Sequence, residues 1–138
     1  MGKIVNTVKI PREIFVMVIK HCQEALPNEA CGFLSGKVNE TVSSIWRMKN
    51  EANSRHQFLV SRANVKETLR KVEAKKEQVI ALYHSHPTAP PIPSTDDLRY
   101  HPDEEVNMLI LSLMHDNLTY KCYAVHYDNY TEVPIQFV

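Results

Sequence analysis

Two histidines separated by one residue, His84 and His86, stand at the end of an apolar run, Gln78-Val-Ile-Ala-Leu-Tyr83. The run is short and apolar, with a charged segment before it and prolines after it, which predicts a strand. In an extended backbone, residues i and i+2 project to one face, so both imidazoles can reach one point. Pro87 has no N–H for a ladder and stops the strand. Pro90, Pro91 and Pro93 stiffen the loop that follows, and the loop delivers Ser94-Thr-Asp-Asp97. Two imidazoles and a returned carboxylate make a three-ligand set for zinc, with the fourth tetrahedral position left to water. Nitrogen and oxygen donors without thiolate also suit other first-row metals. A histidine pair in a strand is more often structural. The stop proline, the constrained loop and the acidic residue at a defined distance favour the metal. Ser94-x-x-Asp97 also fits a helix capping box, and a carboxylate in a first helical turn can serve both purposes.

These residues carry a family resemblance. His-Ser-His, seven residues, Ser, two residues, Asp resembles the signature of the JAMM metalloproteases, the catalytic members of the MPN domain family. That signature has an upstream glutamate ahead of a Cys-Gly pair, and Pro27-Asn-Glu-Ala-Cys-Gly-Phe-Leu-Ser-Gly36 resembles it, with Glu29 at the matching position. The resemblance runs from about Ile10 to the C-terminus. It implies zinc on His84, His86 and Asp97, Glu29 as general base, and Ser94 as donor to the oxyanion of a tetrahedral intermediate. The last role competes with helix capping. Asp96 adjoins Asp97, and the motif spacing selects Asp97.

The chain has 138 residues, enough for one domain with a real core, and residues 1–138 are expected to form a single JAMM/MPN domain. Sixteen basic residues offset sixteen acidic ones. No basic field gathers nucleic acid, so a nucleic-acid partner is not expected. Cys22, Cys31 and Cys122 form no Cys-x-x-Cys pair, and their odd number argues against a disulfide framework. Reduced thiols fit the cytoplasm. The N-terminal residues lack the apolar core of a signal peptide, Asn6 spoils a myristoylation signal at Gly2, and no apolar run is long enough to span a bilayer. No membrane association is expected. The oligomeric state is not legible.

The elements that must position the site follow from periodicity. Val5 to Ile10 reads as a strand, and Pro11 as the first position of a helix running from Arg12 to Ala25. Ile14, Val18, Cys22 and Ala25, flanked by Phe15 and Ile19, form its apolar face. Pro27 ends it. Glu29 to Ser35 reads as a strand whose glycines, Gly32 and Gly36, let it sit close to the metal loop. Asn39 to Met48 is its hairpin partner, and Gln57 to Val60 a further short strand. Ser61 caps a helix with Val65, Leu69 and Val72 at helical spacing, up to about Lys76. After a short helix near Asp96 to Tyr100 come a doubly buried central strand, Val106 to Leu113, its partner Thr119 to Tyr127, and an edge strand, Thr131 to Val138. Elements alternate early and strands run in series late, giving a mixed α/β sheet with flanking helices. The resemblance implies a three-layer, cytidine-deaminase-like core.

The remaining histidines, His21, His56, His101, His115 and His126, have no partner at ligand spacing. Cys31 lacks a partner base and reads as packing. Ser85 points to the opposite strand face and is expected to have no direct role. The chemistry is hydrolysis of an amide or isopeptide bond. The resemblance implies a protein or peptide substrate. The chain is similar to compact prokaryotic members, some of which process ubiquitin-like sulfur carrier proteins near a C-terminal Gly-Gly. A narrow groove would admit that tail, with Ile92 and the loop Asn50 to His56 as candidate walls. Three alternatives remain: a non-catalytic MPN scaffold, a hydrolase of another peptide or small amide, and a nucleobase deaminase. The deaminase expects a Pro-Cys-x-x-Cys pair that this chain lacks.

Overall fold

The computed structural model describes residues 7–38 and 40–138. Six strands form one mixed sheet. These are β2 (Cys31–Gly36), β3 (Ser44–Met48), β4 (Gln78–His86), β5 (Asn107–Ser112), β6 (Thr119–His126) and β7 (Asn129–Val133), in the order β3-β2-β4-β5-β6-β7. Only β4 and β5 pair in parallel within it. A second sheet of two strands joins β1 (Val8–Ile10) and β8 (Ile135–Phe137), also in parallel. No helix among the described residues is long and apolar enough to cross a membrane.

Alternation along the strands sorts the two faces of the large sheet. Ala81, Tyr83, Leu109, Leu111 and Cys122 share one cluster with Phe15, Val18 and Cys22 of helix α1 (Arg12–Ala25). On the other face, Phe33 and Leu82 pack with Val65 of helix α2 (Arg62–Ala74), and Met108 and Ile110 pack with Leu98 of helix α3 (Thr95–Arg99). The result is three layers, helix on sheet on helices. His84 and His86 alternate with Tyr83 and Ser85, so they fall on the face of α2 and α3. β5 lies between β4 and β6 and is buried at all six residues, as its apolar centre, Met108 to Leu111, requires.

α1 has the expected bounds, but Pro11 is its N-cap, with extended ψ of 138°, and not its first helical residue. β2 begins at Cys31, two residues after Glu29, and β3 begins at Ser44. The expected starts at Val5 and Asn39 lie outside the described residues. Ser61 caps α2 by accepting the Asn64 N–H at 3.2 Å. Three expectations fail. Gln57 to Val60 joins no sheet, because the side chain of Asn50 and the N–H of Glu51 take its backbone groups instead. The last strand is two strands, β7 and β8, broken at Pro134, whose carbonyl accepts the Val8 N–H at 2.9 Å and carries the chain to the smaller sheet. Gly32 does not serve the metal loop either. A Cβ there would strike the Tyr83 ring and the Trp46 carbonyl, so its smallness lets β2 fit between its two neighbours.

Candidate active site

β4 ends with His84 fully buried and His86 nearly so. The loop after Pro87 is pinned through three consecutive carbonyls. Ser112 Oγ donates to Ala89 O at 2.6 Å, His86 Nδ1 to Pro90 O at 2.8 Å, and the Tyr123 hydroxyl to Pro91 O at 2.6 Å. Side chains of β4, β5 and β6 thus fix the path that the prolines stiffen. The loop then enters α3 through a complete capping box. Asp97 N–H donates to Ser94 Oγ at 3.0 Å, and Ser94 N–H donates to Asp97 Oδ2 at 2.9 Å.

That box aims Asp97 back at the strand. Its Oδ2 lies 3.1 Å from His84 Nε2 and 3.0 Å from His86 Nε2, and the two Nε2 atoms are 3.2 Å apart. Asp97 is 8 % exposed, whereas its neighbour Asp96 faces solvent. The three donor atoms form a nearly equilateral triangle. Ligands around a tetrahedral zinc at about 2.0–2.1 Å are separated by about 3.3 Å, so the triangle fits one face of that tetrahedron.

The protonation pattern makes the same point. His86 Nδ1 must carry a proton to bond Pro90 O, which leaves Nε2 as the nitrogen that faces Asp97. A proton on Nε2 makes the 3.0 Å bond to Asp97 Oδ2, and a bound metal would take the place of that proton. Burial opposes the charge of Asp97, but the hydrogen bonds of His84 and His86 outweigh it and hold the carboxyl well below the usual carboxylate range. Burial drives His84 down. It also opposes protonation of His86, which Asp97 and the Pro90 carbonyl nevertheless raise. The residues fit a metal with nitrogen and oxygen preference.

Glu29 is 3 % exposed, just ahead of β2, and Cys31 pairs with His84 across the ladder. Its Oε1 has no hydrogen-bond partner among the described residues. Burial pushes its pKa up to about 8, with His86 pulling it down and Asp97 adding to the rise. A buried carboxylate with a raised pKa, within electrostatic reach of His86 and Asp97, can exchange a proton near neutral pH.

Sequence reasoning missed several contributors. Ser85 points away from the histidines as expected, but its Oγ accepts the Ala30 N–H at 2.8 Å, next to Glu29. Phe58 lies over His84, with ring centroids 4.9 Å apart. Asn50, Ser112 and Tyr123 hold loops by side-chain bonds that no local pattern announces. A groove of about 470 Å³ opens beside Asp97, floored by Cys31, Phe33 and Leu82 and walled by Phe58, Val60 and Tyr100. Ala52 of the expected wall lines it, and Ile92 does not. A wider cleft of about 690 Å³ along the other flank of α3 contains none of the converging residues. His101 lines that cleft, and its Nε2 meets Val106 O at 2.6 Å.

Comparison with known proteins yields matches in sequence and in structure. Residues 11–123 match the family model described as prokaryotic homologs of the JAB domain. A desampylase of Pyrococcus furiosus is 32% identical over 93 residues, 67% of this chain. The match spans 65% of that relative's length. A solution structure of a protein from Desulfitobacterium hafniense superposes with a TM-score of 0.85 at 24% identity, over 95% of this chain and 92% of that one. A crystal structure of a JAB1/MPN domain protein from Archaeoglobus fulgidus superposes with a TM-score of 0.60 at 19% identity, over 94% and 97%.

Proposed function

Because the chain belongs to the family of prokaryotic homologs of the JAB domain, a compact JAMM/MPN member, we propose that it is a zinc-dependent metallopeptidase that cleaves an amide or isopeptide bond. The observation that carries this reading is the convergence of His84 Nε2, His86 Nε2 and Asp97 Oδ2 within 3.0–3.2 Å of one another. These residues would hold the zinc. When bound, the metal polarises a carbonyl and brings the pKa of water toward about 7.

The chain's own groups supply the rest. Glu29 takes a proton from the attacking water and passes it to the leaving amine. Such transfers contribute about 10²–10⁴ in rate. Its buried Oε1 has a free lone pair for that proton. Ser94 Oγ accepts the Asp97 N–H, so its own hydroxyl proton remains free to donate to an oxyanion. A donor of this kind is worth about 3 kcal/mol. Capping and catalysis use different ends of that hydroxyl and do not compete.

The substrate is an extended tail. Gln57 to Val60 bonds the Asn50 and Glu51 side through Gln57 O, Leu59 N–H and Leu59 O. Backbone groups alternate along an extended chain, so those of Phe58 and Val60 face the other way. They have no partner among the described residues. A tail lying in the groove can bond this edge, and side-chain-free glycines can pass the crowded site beside Phe58 and His84. We assign a ubiquitin-like sulfur carrier protein ending in Gly-Gly as the substrate. The cytoplasmic protein, acting as one catalytic domain, adds water to the amide between the terminal glycine carbonyl and an attached amine, releasing the free carboxylate and the amine.

The test is metal content together with cleavage. Purified protein should carry about one zinc per chain, lost in His84→Ala/His86→Ala. It should release a residue joined to a Gly-Gly tail, stop when chelated and recover with zinc. Activity that survives complete metal removal would overturn the mechanism.

A further inference from the structure

Asn50 follows β3 by two residues and is half-buried. Its side-chain amide reaches five backbone groups. Nδ2 donates to Glu29 O and to Gln57 O, each at 3.0 Å, and lies 3.4 Å from Ser54 O. Oδ1 accepts the N–H of Ala52 and of Leu59, each at 3.0 Å. The partners fix the orientation of the amide. Every group at the nitrogen end is a carbonyl, and every group at the oxygen end is an N–H. A flipped amide would set its oxygen against three carbonyl oxygens.

These partners belong to two different working parts. Glu29 carries the buried carboxylate beside the histidines. Gln57 and Leu59 hold the segment whose Phe58 lies over His84 and whose free edge borders the groove. No other side chain among the described residues bonds the backbone of both.

We propose that Asn50 is a positioning residue that locks the base-bearing Glu29 backbone and the groove wall Gln57 to Val60 into one rigid frame. This rests on the reading of Glu29 as base and of that wall as the substrate's edge. Base and substrate chain then share a reference, and the proton transfer distance does not depend on loop fluctuation. A shift of about 1 Å between reacting groups costs about a hundredfold in rate, so a single amide can govern turnover without touching substrate. In a satisfied polar network, loss of one member exposes the others to the full cost of desolvation.

Two variants separate the halves of the clamp. Asn50→Asp keeps an acceptor for Ala52 and Leu59 but turns a carboxylate oxygen toward Glu29 O and Gln57 O. Asn50→Ala removes both ends. With the zinc-loaded full chain and a Gly-Gly-tailed carrier protein, Asn50→Asp should lower kcat about a hundredfold with KM and zinc content near wild type. Asn50→Ala should lower kcat and raise KM. Amide hydrogen exchange supplies a readout independent of turnover. Ala52 and Leu59 should exchange slowly in the wild type and in Asn50→Asp, and fast in Asn50→Ala. Wild-type kcat in Asn50→Asp, or a loss that tracks lost zinc or lost fold, would overturn the proposal. So would fast exchange of Ala52 and Leu59 in the wild type, a result that needs no variant to fold. A wild-type protein with protected amides but no hydrolysis would count against the peptidase reading and leave the clamp standing.

Discussion

The hydroxyl of Ser85 accepts the backbone N–H of Ala30 at 2.8 Å, on the sheet face opposite the two histidines that Ser85 separates. Ser85 N–H returns a bond to Ala30 O at 3.1 Å. In a regular antiparallel pair the Ala30 N–H would bond the Ser85 carbonyl. Here the side chain takes its place, so the ladder ends at Ala30 and the chain before it leaves the sheet. Glu29 follows at the next position outward, buried and within electrostatic reach of His86.

Ser85→Ala should therefore leave the Ala30 N–H buried without an acceptor. We expect a loss of about 1–3 kcal/mol in stability, measured by urea unfolding, together with lower kcat and unchanged zinc content. Undiminished stability would show that the bond is replaced by another partner.

Glu29→Gln removes the proton acceptor while keeping size and polarity. The protein should bind zinc as the wild type does and turn over about 10²–10⁴ times more slowly in single-turnover assays. An unaltered rate would dismiss Glu29 as the base.

Asp97→Ala should lose metal, whereas Asp96→Ala should keep it, because only Asp97 turns its carboxylate into the histidine pair. Asp97→Ala should also weaken α3, since the capping box loses one of its two bonds. Elemental analysis and circular dichroism read the two effects separately. Equal metal loss in both variants would contradict the geometry.

A third carboxylate with a nearly covered side chain, Glu77, lies at the far end of β4. Glu77 accepts the hydroxyls of Ser35 at 2.7 Å and Ser44 at 3.2 Å, and Lys75 lies 3.8 Å away. Burial opposes its charge, yet these partners lower its pKa below the ordinary glutamate value. A lowered folded pKa means that the unfolded chain binds the proton first as pH falls. The contribution is present above the unfolded value and lost as pH drops through the folded one. Glu77→Gln should thus destabilise the protein at pH 7 by about 1–3 kcal/mol, with the gap to wild type closing below about pH 4. A pH-independent gap in the denaturation midpoints would exclude the linkage.

Much of the candidate site's geometry was legible because its signals are local. His84, His86, Ser94 and Asp97 lie within 14 positions, and a strand, a stop proline and a capping box act over only a few residues. The bounds of α1 were equally readable, since a 3.6-residue period lies between Pro11 and Pro27. Gln57 to Val60 misled for a definite reason. Its composition suits a strand, but a side chain 7–9 positions upstream satisfies its backbone, and composition does not reveal which partner wins. The last strand failed similarly. A proline such as Pro134 suits an edge strand, whereas here it passes the chain from one sheet to another.

The amino-acid sequence alone determined which groups are available for chemistry and which faces of strand and helix they occupy, because backbone periodicity sets direction at short range. Only the tertiary structure decided how far apart those groups stand. The bond from Ala30 to Ser85 crosses 55 positions, and that from Asn50 to Glu29 crosses 21. Such contacts arise when the sheet orders β2 beside β4, an outcome of burying both its faces at once. Glu29 comes within electrostatic reach of His86 and Asp97 through that long-range order, and burial there raises its pKa to about 8.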